Sequence, residues 1–219
     1  MTCQRYYDTI LNKYMEKTKF FKYGKKELEW LKSRDRELGA AIDRIGKIKR
    51  AVNPDLFIAL INSIVGQQIS SRAQATVWAR IEERLKPLTP KTIGSVSAEV
   101  LQSCGISMRK AQYIKGIAEA VLDGSLNLAE LHKLSDEEVC KKLVQIKGIG
   151  IWTAEMLMIF SMQRKDILSF GDLAIQRGLR ILYKCDEINR DMFNECRQRY
   201  SPYASVASLY LWAISSEVQ

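Results

Sequence analysis

Apolar residues recur at helical spacing along most of this chain, punctuated by caps and glycine stops, while short alternating β-branched runs are nearly absent. The pattern predicts an all-α protein. Lys26 to Ile48 reads as one charged amphipathic helix that turns Leu28, Leu31, Leu38, Ile42 and Ile45 to the core. Asn53-Pro54 reads as an N-cap followed by proline at the first helical position, opening a buried helix through Leu56, Phe57, Leu60, Ile61 and Ile64 that Gly66 ends. Ser70 caps the next helix, which carries Ala73, Val77, Trp78 and Ile81 before the turn at Pro87 and Thr89-Pro90. Ser107 opens a further helix through Ala111, Ile114, Ile117 and Val121 that stops at Asp123-Gly124.

The most informative stretch is residues 145 to 172. Ser135 and Glu138 have capping-box spacing, so a helix starts at Asp136, with Val139, Leu143 and Ile146 on its apolar face. Gly148 and Gly150 then stop it, because glycine adopts the dihedrals of a tight turn, and a new helix begins near Trp152 or Thr153. Backbone N–H groups at such a helix start are free to face a phosphate. An intensely apolar run, AEMLMIF, follows, then a loop ending in Gly171-Asp172, then a helix through Leu173, Ile175, Leu179 and Leu182 with Asp172 at its N-cap.

Composition narrows the setting. Four prolines, twelve glycines and no Ser/Gly-rich or Pro-rich tract predict one domain over residues 1–219, with the hairpin at about 136–160. No fixed-period repeat points to a solenoid. The formal charge of +9 favours a polyanionic partner, because Lys and Arg beside phosphates release condensed counterions. Residues 1–50 hold 14 Lys+Arg against 7 Asp+Glu, so most of the excess lies there, either as a phosphate-tracking face or as a solvated helix surface. Cys3, Cys104, Cys140, Cys185 and Cys196 are odd in number and scattered, which fits reduced thiols rather than a disulfide scaffold. His132 is the single histidine and offers no metal constellation. Met1 to Ile10 contains no apolar core of signal-peptide length, and no run approaches eighteen apolar residues. A soluble, intracellular protein is expected.

On the residues alone, each candidate has a structural reading beside its chemical one. Asp172 is an ordinary helix cap or a catalytic carboxylate, and Asp166, in the same loop, is a runner-up that otherwise reads as a solvated turn residue. Gln67 and Gln68 are solvated polar residues at a helix junction or a DNA-facing turn, and Trp152 and Trp212 are core or pocket residues.

Four blocks in order over about residues 55 to 215 tip these alternatives: IVGQQIS, IKGIGIWTAEM, FGDLAIQRG and SPYASVASLYLWAIS. Together they resemble the helix-hairpin-helix DNA glycosylase superfamily, and within it the alkylpurine (3-methyladenine) branch. The resemblance implies two helical subdomains flanking a DNA-binding cleft, built by the first and last helices on one side and the middle helices on the other. It implies Asp172 as the catalytic carboxylate and a base pocket containing Trp152, Met156 and Trp212. A flipped, cationic alkylpurine would stack in such a pocket by cation–π attraction. It places Gln68 at the intercalating position with Gln67 supporting the turn, and assigns DNA contacts to Ser70, Lys147, Gly148, Ile149, Gly150 and Thr153. The family hairpin commonly holds a monovalent cation through main-chain carbonyls, here those of Val144, Ile146 and Ile149, so Na+ or K+ is an expected structural ion. No cofactor is required.

The chain also departs from the family in places. Met156 replaces an aromatic of some relatives, and Tyr203-Ala204 lacks an arginine of the corresponding motif, which leaves base selectivity open. The scattered cysteines exclude the four-cysteine iron–sulfur cluster of endonuclease III-like relatives. Bifunctional relatives carry a Schiff-base lysine where this chain has Trp152, whereas Lys147 lies inside the hairpin where proline is usual. The expectation is therefore a monofunctional enzyme acting as a monomer on double-stranded DNA with damaged bases, hydrolysing the N-glycosidic bond of 3-methyladenine- or 7-methylguanine-type lesions. It would work in a prokaryotic cytoplasm or nucleoid, or in a eukaryotic nucleus. The competing expectations are an oxidised-base glycosylase/lyase and a non-catalytic hairpin DNA-binding protein whose Asp172 only caps a helix.

Overall fold

A computed structural model describes residues 19–217. The stretch Met1 to Ile10 and Cys3, both interpreted above, lie outside the described residues. Twelve α-helices carry the described chain: α1 (Lys25–Arg34), α2 (Arg36–Ile45), α3 (Leu56–Gly66), α4 (Ser71–Arg84), α5 (Pro90–Ser95), α6 (Ala98–Gln102), α7 (Met108–Leu122), α8 (Asp136–Val144), α9 (Ile151–Phe160), α10 (Leu173–Tyr183), α11 (Arg190–Tyr200) and α12 (Ala204–Ser216). A short 3-10 turn at Glu130–Lys133 precedes α8. The all-α expectation is met apart from one two-residue antiparallel pair, β1 (Lys19–Phe20) with β2 (Ala51–Val52), in which Lys19 faces Val52 and Phe20 faces Ala51.

Helix starts follow the polar side chains that cap them. Ser70, Ser107, Ser135 and Asp172 each accept a backbone N–H of the first turn, and Glu138 returns a capping-box bond to the Ser135 N–H. Two boundaries differ from expectation. Lys26 to Ile48 is not one helix: Asp35 is extended between α1 and α2, and its Oδ1 caps α2 by accepting the Leu38 N–H at 2.9 Å. The break serves a long-range network, since Asp35 Oδ2 also receives Arg199 Nη1 at 2.8 Å and the Tyr183 hydroxyl, which meets the Tyr200 hydroxyl at 2.6 Å. The α3 cap is Asp55 rather than Asn53. Asp55 Oδ1 accepts the Ile58 N–H at 3.0 Å, while Asn53 Oδ1 accepts the Asp55 N–H and shapes the turn before it. Pro54 thus precedes the helix.

The helices divide as the resemblance implies. α1 and α2 pack with α10, α11 and α12, whereas α3 to α9 pack among themselves, chiefly α5 and α6 on α7, α3 on α4 and α7, and α9 on α8 and α3. Gly178 of α10 lets the last helices meet closely: a Cβ there would sit 2.3 Å from the Leu211 carbonyl oxygen. A single apolar cluster runs through both halves, from Leu31 and Leu38 through Leu60, Ile61 and Phe160 to Leu209 and Leu211. Because the first and last helices of one half flank the other half in sequence, no single boundary in the amino-acid pattern divides the two.

Candidate active site

The loop that closes the gap between α9 and α10 delivers Asp172. Asp172 is 5% exposed. Its Oδ1 accepts the N–H groups of Ala174 at 2.9 Å and Ile175 at 3.0 Å, and its Oδ2 accepts the indole N–H of Trp152 at 2.8 Å. The capping and chemical readings of Asp172 are therefore compatible: one oxygen fixes the helix start, and the other turns toward α9. All three donors are neutral, so they orient the carboxylate without a cation to neutralise it. Asp166 is not the solvated turn residue expected. Its carboxylate accepts the Ser201 hydroxyl at 2.7 Å and the Ala204 N–H at 3.2 Å, which ties the loop to the start of α12.

Trp152 forms one wall of a cavity of about 390 Å³ between α9 and the α3–α4 pair. That volume suits a small planar ligand. Thr153, Met156, Leu157, Phe160 and Ser161 continue the α9 wall, and Asn53, Asn62, Ser63, Gln67, Ile69, Ser70 and Gln74 supply the opposite one. The lining contains no lysine and no other charged side chain. Asp172 is not part of this lining; it is joined to it through the indole N–H of Trp152.

Trp212 occupies a different layer from the one expected. It is 4% exposed and packs on Phe160 with ring centroids 5.3 Å apart, so Phe160 faces the cavity and Trp212 backs it. Its indole N–H meets no protein acceptor among the described residues. The buried guanidinium of Arg50 also lies over the Phe160 ring, 5.2 Å from its centre. Periodicity gave no sign of Phe160, since a phenylalanine at the end of an apolar helix reads as core whichever way it faces.

The turn between α3 and α4 reaches the hairpin. Gln67 Nε2 donates to the Gly148 carbonyl at 2.7 Å, joining residues far apart in sequence. Gln68 is exposed and has φ of +56°, an uncommon conformation for a residue with a Cβ, and Ile69 beside it is also exposed. Ser70 caps α4 at the cavity edge. Lys110, which the amino-acid pattern left unassigned, donates from Nζ to the Val65 carbonyl at 3.0 Å and the Gln67 carbonyl at 2.6 Å, satisfying the end of α3. Burial pushes its ammonium below the usual lysine range, and Arg109 adds to the shift.

The hairpin between α8 and α9 is held by the Ile149 N–H on the Ile146 carbonyl at 3.0 Å. Gly148 has φ of +91°, and a Cβ there would lie 2.5 Å from the Tyr113 ring, so this position requires glycine on two counts. Gly150 is the N-cap of α9 and provides no side-chain oxygen, which leaves the first N–H groups of that helix for an external acceptor. The second helix starts at Ile151, one residue before the expected range. Ile149 is buried, so only its backbone can serve a phosphate or an ion. Val144 ends α8, and the carbonyls of Val144, Ile146 and Ile149 lie on the exit from that helix into the turn. Lys147 is exposed and lines a separate groove with Tyr113, Lys142 and Gln145, away from the Trp152 cavity. No group of three or more His, Cys, Asp or Glu suited to a metal occurs among the described residues. No helix there is long and apolar enough to cross a membrane.

Comparison with known proteins agrees with this geometry. Residues 61–202 match the family described as HhH-GPD superfamily base excision DNA repair protein. The chain is 37% identical over 161 residues to DNA-3-methyladenine glycosylase 1 of Schizosaccharomyces pombe, covering 71% of each. Its fold superposes on the crystal structure of DNA-3-methyladenine glycosidase from Bacillus halodurans with a TM-score of 0.84 and 34% identity, covering 91% of this chain and 94% of that one. A 3-methyladenine DNA glycosylase of S. pombe in complex with abasic DNA gives a TM-score of 0.73 at 32% identity, covering 85% and 95% of the two chains. The matched residues include the hairpin and Asp172, and the chain belongs to the HhH-GPD superfamily of base excision DNA repair proteins.

Proposed function

We propose that this protein is a monofunctional DNA glycosylase that takes an alkylated purine of the 3-methyladenine or 7-methylguanine type out of duplex DNA and hydrolyses its N-glycosidic bond, leaving an abasic site. The names of its relatives support the substrate class. The observation that carries the mechanism is the Asp172 carboxylate, buried, faced by neutral donors only, and held by Trp152, which lines an uncharged cavity.

Loss of a base places positive charge on the deoxyribose, and an unneutralised carboxylate in a low-dielectric site stabilises that charge and orients water. Burial alone would penalise such an anion, so the three fixed N–H donors keep it in place without cancelling its field. The Trp152 and Phe160 rings supply flat, electron-rich walls for a cationic base. Gln68, projected from a strained turn that Gln67 and Lys110 fasten to the hairpin and to α3, fills the space left in the duplex. The N–H groups at the start of α9, with Lys147 nearby, take the DNA backbone. The carbonyls of Val144, Ile146 and Ile149 are hard neutral ligands suited to Na+ or K+, and an ion there would brace the hairpin. DNA affinity that depends on which monovalent cation is present would test that part alone. The protein is proposed to act as a monomer, wherever its cell keeps DNA.

Borohydride and hot alkali separate this function from its rivals. The protein should release free base and leave a strand that stays intact until alkali is added, with no protein–DNA adduct trapped by borohydride, because tryptophan stands where a lyase has its lysine and Lys147 faces another groove. An adduct that disappears in Lys147→Ala would establish the oxidised-base lyase alternative. Tight DNA binding without release of any base would leave a non-catalytic binding module.

A further inference from the structure

Helix α9 turns a second functional side chain toward the Asp172 loop. Trp152 holds Asp172 Oδ2, and Glu155, three residues on and hence on the same helical face, accepts the Ser169 hydroxyl. Ser169 is fully buried, and its carbonyl receives the Asp172 N–H at 3.4 Å. One helix therefore fastens both ends of the Ser169–Asp172 turn. From the other side, Gln176 Nε2 donates to the Phe170 carbonyl at 2.5 Å.

Anchoring alone does not call for an acid. A glutamine at position 155 would accept the Ser169 hydroxyl without placing a second ionisable carboxyl near a buried anion. The charged and titratable groups that act on or respond to Glu155 are Asp172 at the start of α10, Arg197 on α11 and Cys140 on α8. Burial raises the Glu155 carboxyl above the ordinary carboxylate range, the Ser169 hydrogen bond and Arg197 oppose that shift, and the charge of Asp172 adds to it. Burial, with Glu155 contributing, likewise pushes the Cys140 thiol upward, so it stays neutral at physiological pH and adds no charge of its own.

We propose that Glu155 is a positioning residue for bond cleavage at Asp172, anchoring the Ser169–Asp172 turn to α9 and, when ionised, adding a second negative charge to the field at the sugar. The inference rests on Asp172 being the catalytic carboxylate. Its sign follows directly. Above its raised pKa, Glu155 is charged and favours the cationic sugar; as pH falls through that value it becomes neutral and excision slows, at a pH higher than an ordinary carboxylate would give.

Glu155→Gln separates anchor from charge, because the amide oxygen still accepts the Ser169 hydroxyl. Removing a carboxyl whose pKa is raised by folding does not destabilise the protein at neutral pH, so this variant should unfold no earlier than wild type. Single-turnover excision would be followed from pH 5 to 8 on one duplex carrying 7-methylguanine, with affinity for an abasic-site analogue measured in parallel. Glu155→Gln should keep that affinity, lose on the order of tenfold in rate at pH 8, and show its acid limb displaced to lower pH. Glu155→Ala should be slower still, and Ser169→Ala should lower the rate and move the acid limb to higher pH, because the Ser169 hydrogen bond no longer opposes the effect of burial on Glu155. A Glu155→Gln profile that superimposes on wild type, or a rate loss that only tracks loss of folded protein, overturns the proposal. Including Asp172→Asn keeps the two assignments apart: undiminished excision by that variant would remove the catalytic aspartate itself, independently of what Glu155 does.

Discussion

Asp35 and Asp172 are buried almost equally, at 4% and 5% exposure, and each caps a helix with one carboxylate oxygen. Their second oxygens set them apart. Asp35 Oδ2 meets Arg199 and the Tyr183 hydroxyl, so its charge is neutralised inside a network that joins α1 and α2 to α10 and α11. The same carboxylate helps push the Tyr183 hydroxyl far above the ordinary phenol range, although burial is the larger cause. Asp172 Oδ2 meets only the indole N–H of Trp152, which lines a cavity with no charged side chain. A buried carboxylate that is paired contributes to the fold; one that is oriented but unpaired keeps a field for a cation that forms only during reaction.

Exchanging each aspartate for asparagine tests this contrast first. Asp172→Asn should reduce single-turnover excision on the order of a thousandfold, with little change in affinity for an abasic-site analogue. Asparagine still caps the helix, so the only stability cost is about 1 kcal/mol from the amide NH2 that then faces the Trp152 N–H. Asp35→Asn should do the reverse, lowering stability by about 2 kcal/mol in denaturant melts, a figure discounted because Arg199 is partly exposed, while folded molecules keep their excision rate. A large stability loss in the first variant, or a specific activity loss in the second, would break the distinction.

Two smaller effects sharpen it. Trp152→Phe keeps a flat wall but removes the donor to Oδ2, and should slow excision about tenfold with abasic-analogue binding unchanged, as single-turnover rates and fluorescence anisotropy would show. Gln67→Ala removes the link from the α3–α4 turn to the Gly148 carbonyl, and should weaken DNA binding about threefold to fivefold for damaged and abasic duplexes alike. An effect on one substrate only would place Gln67 in base recognition instead.

Local signals in the chain carry much of this architecture. Ser70, Ser107, Ser135 and Asp172 each cap the helix that their position predicts, since capping depends on residues within one turn. Gly148 is legible for the same reason, although its conflict with Tyr113 is not. What escapes prediction depends on partners distant in sequence. The break at Asp35 needs Arg199, the structural use of Asp166 needs Ser201 and Ala204, and the shared role of Trp152 and Glu155 needs a loop more than ten residues away to fold back on their helix. Trp212 and Phe160 show the limit most plainly: both lie on strongly apolar helices, and only packing determines that Phe160 meets the cavity while Trp212 supports it.

The most direct test of the account is the identity of the base that leaves. Mass spectrometry of the supernatant from methylated duplex DNA should show free 3-methyladenine or 7-methylguanine after incubation with wild-type protein, and a yield lower by about two orders of magnitude or more with Asp172→Asn at equal folded concentration. Equal yields from the two proteins, or no methylated purine from wild type, would contradict it.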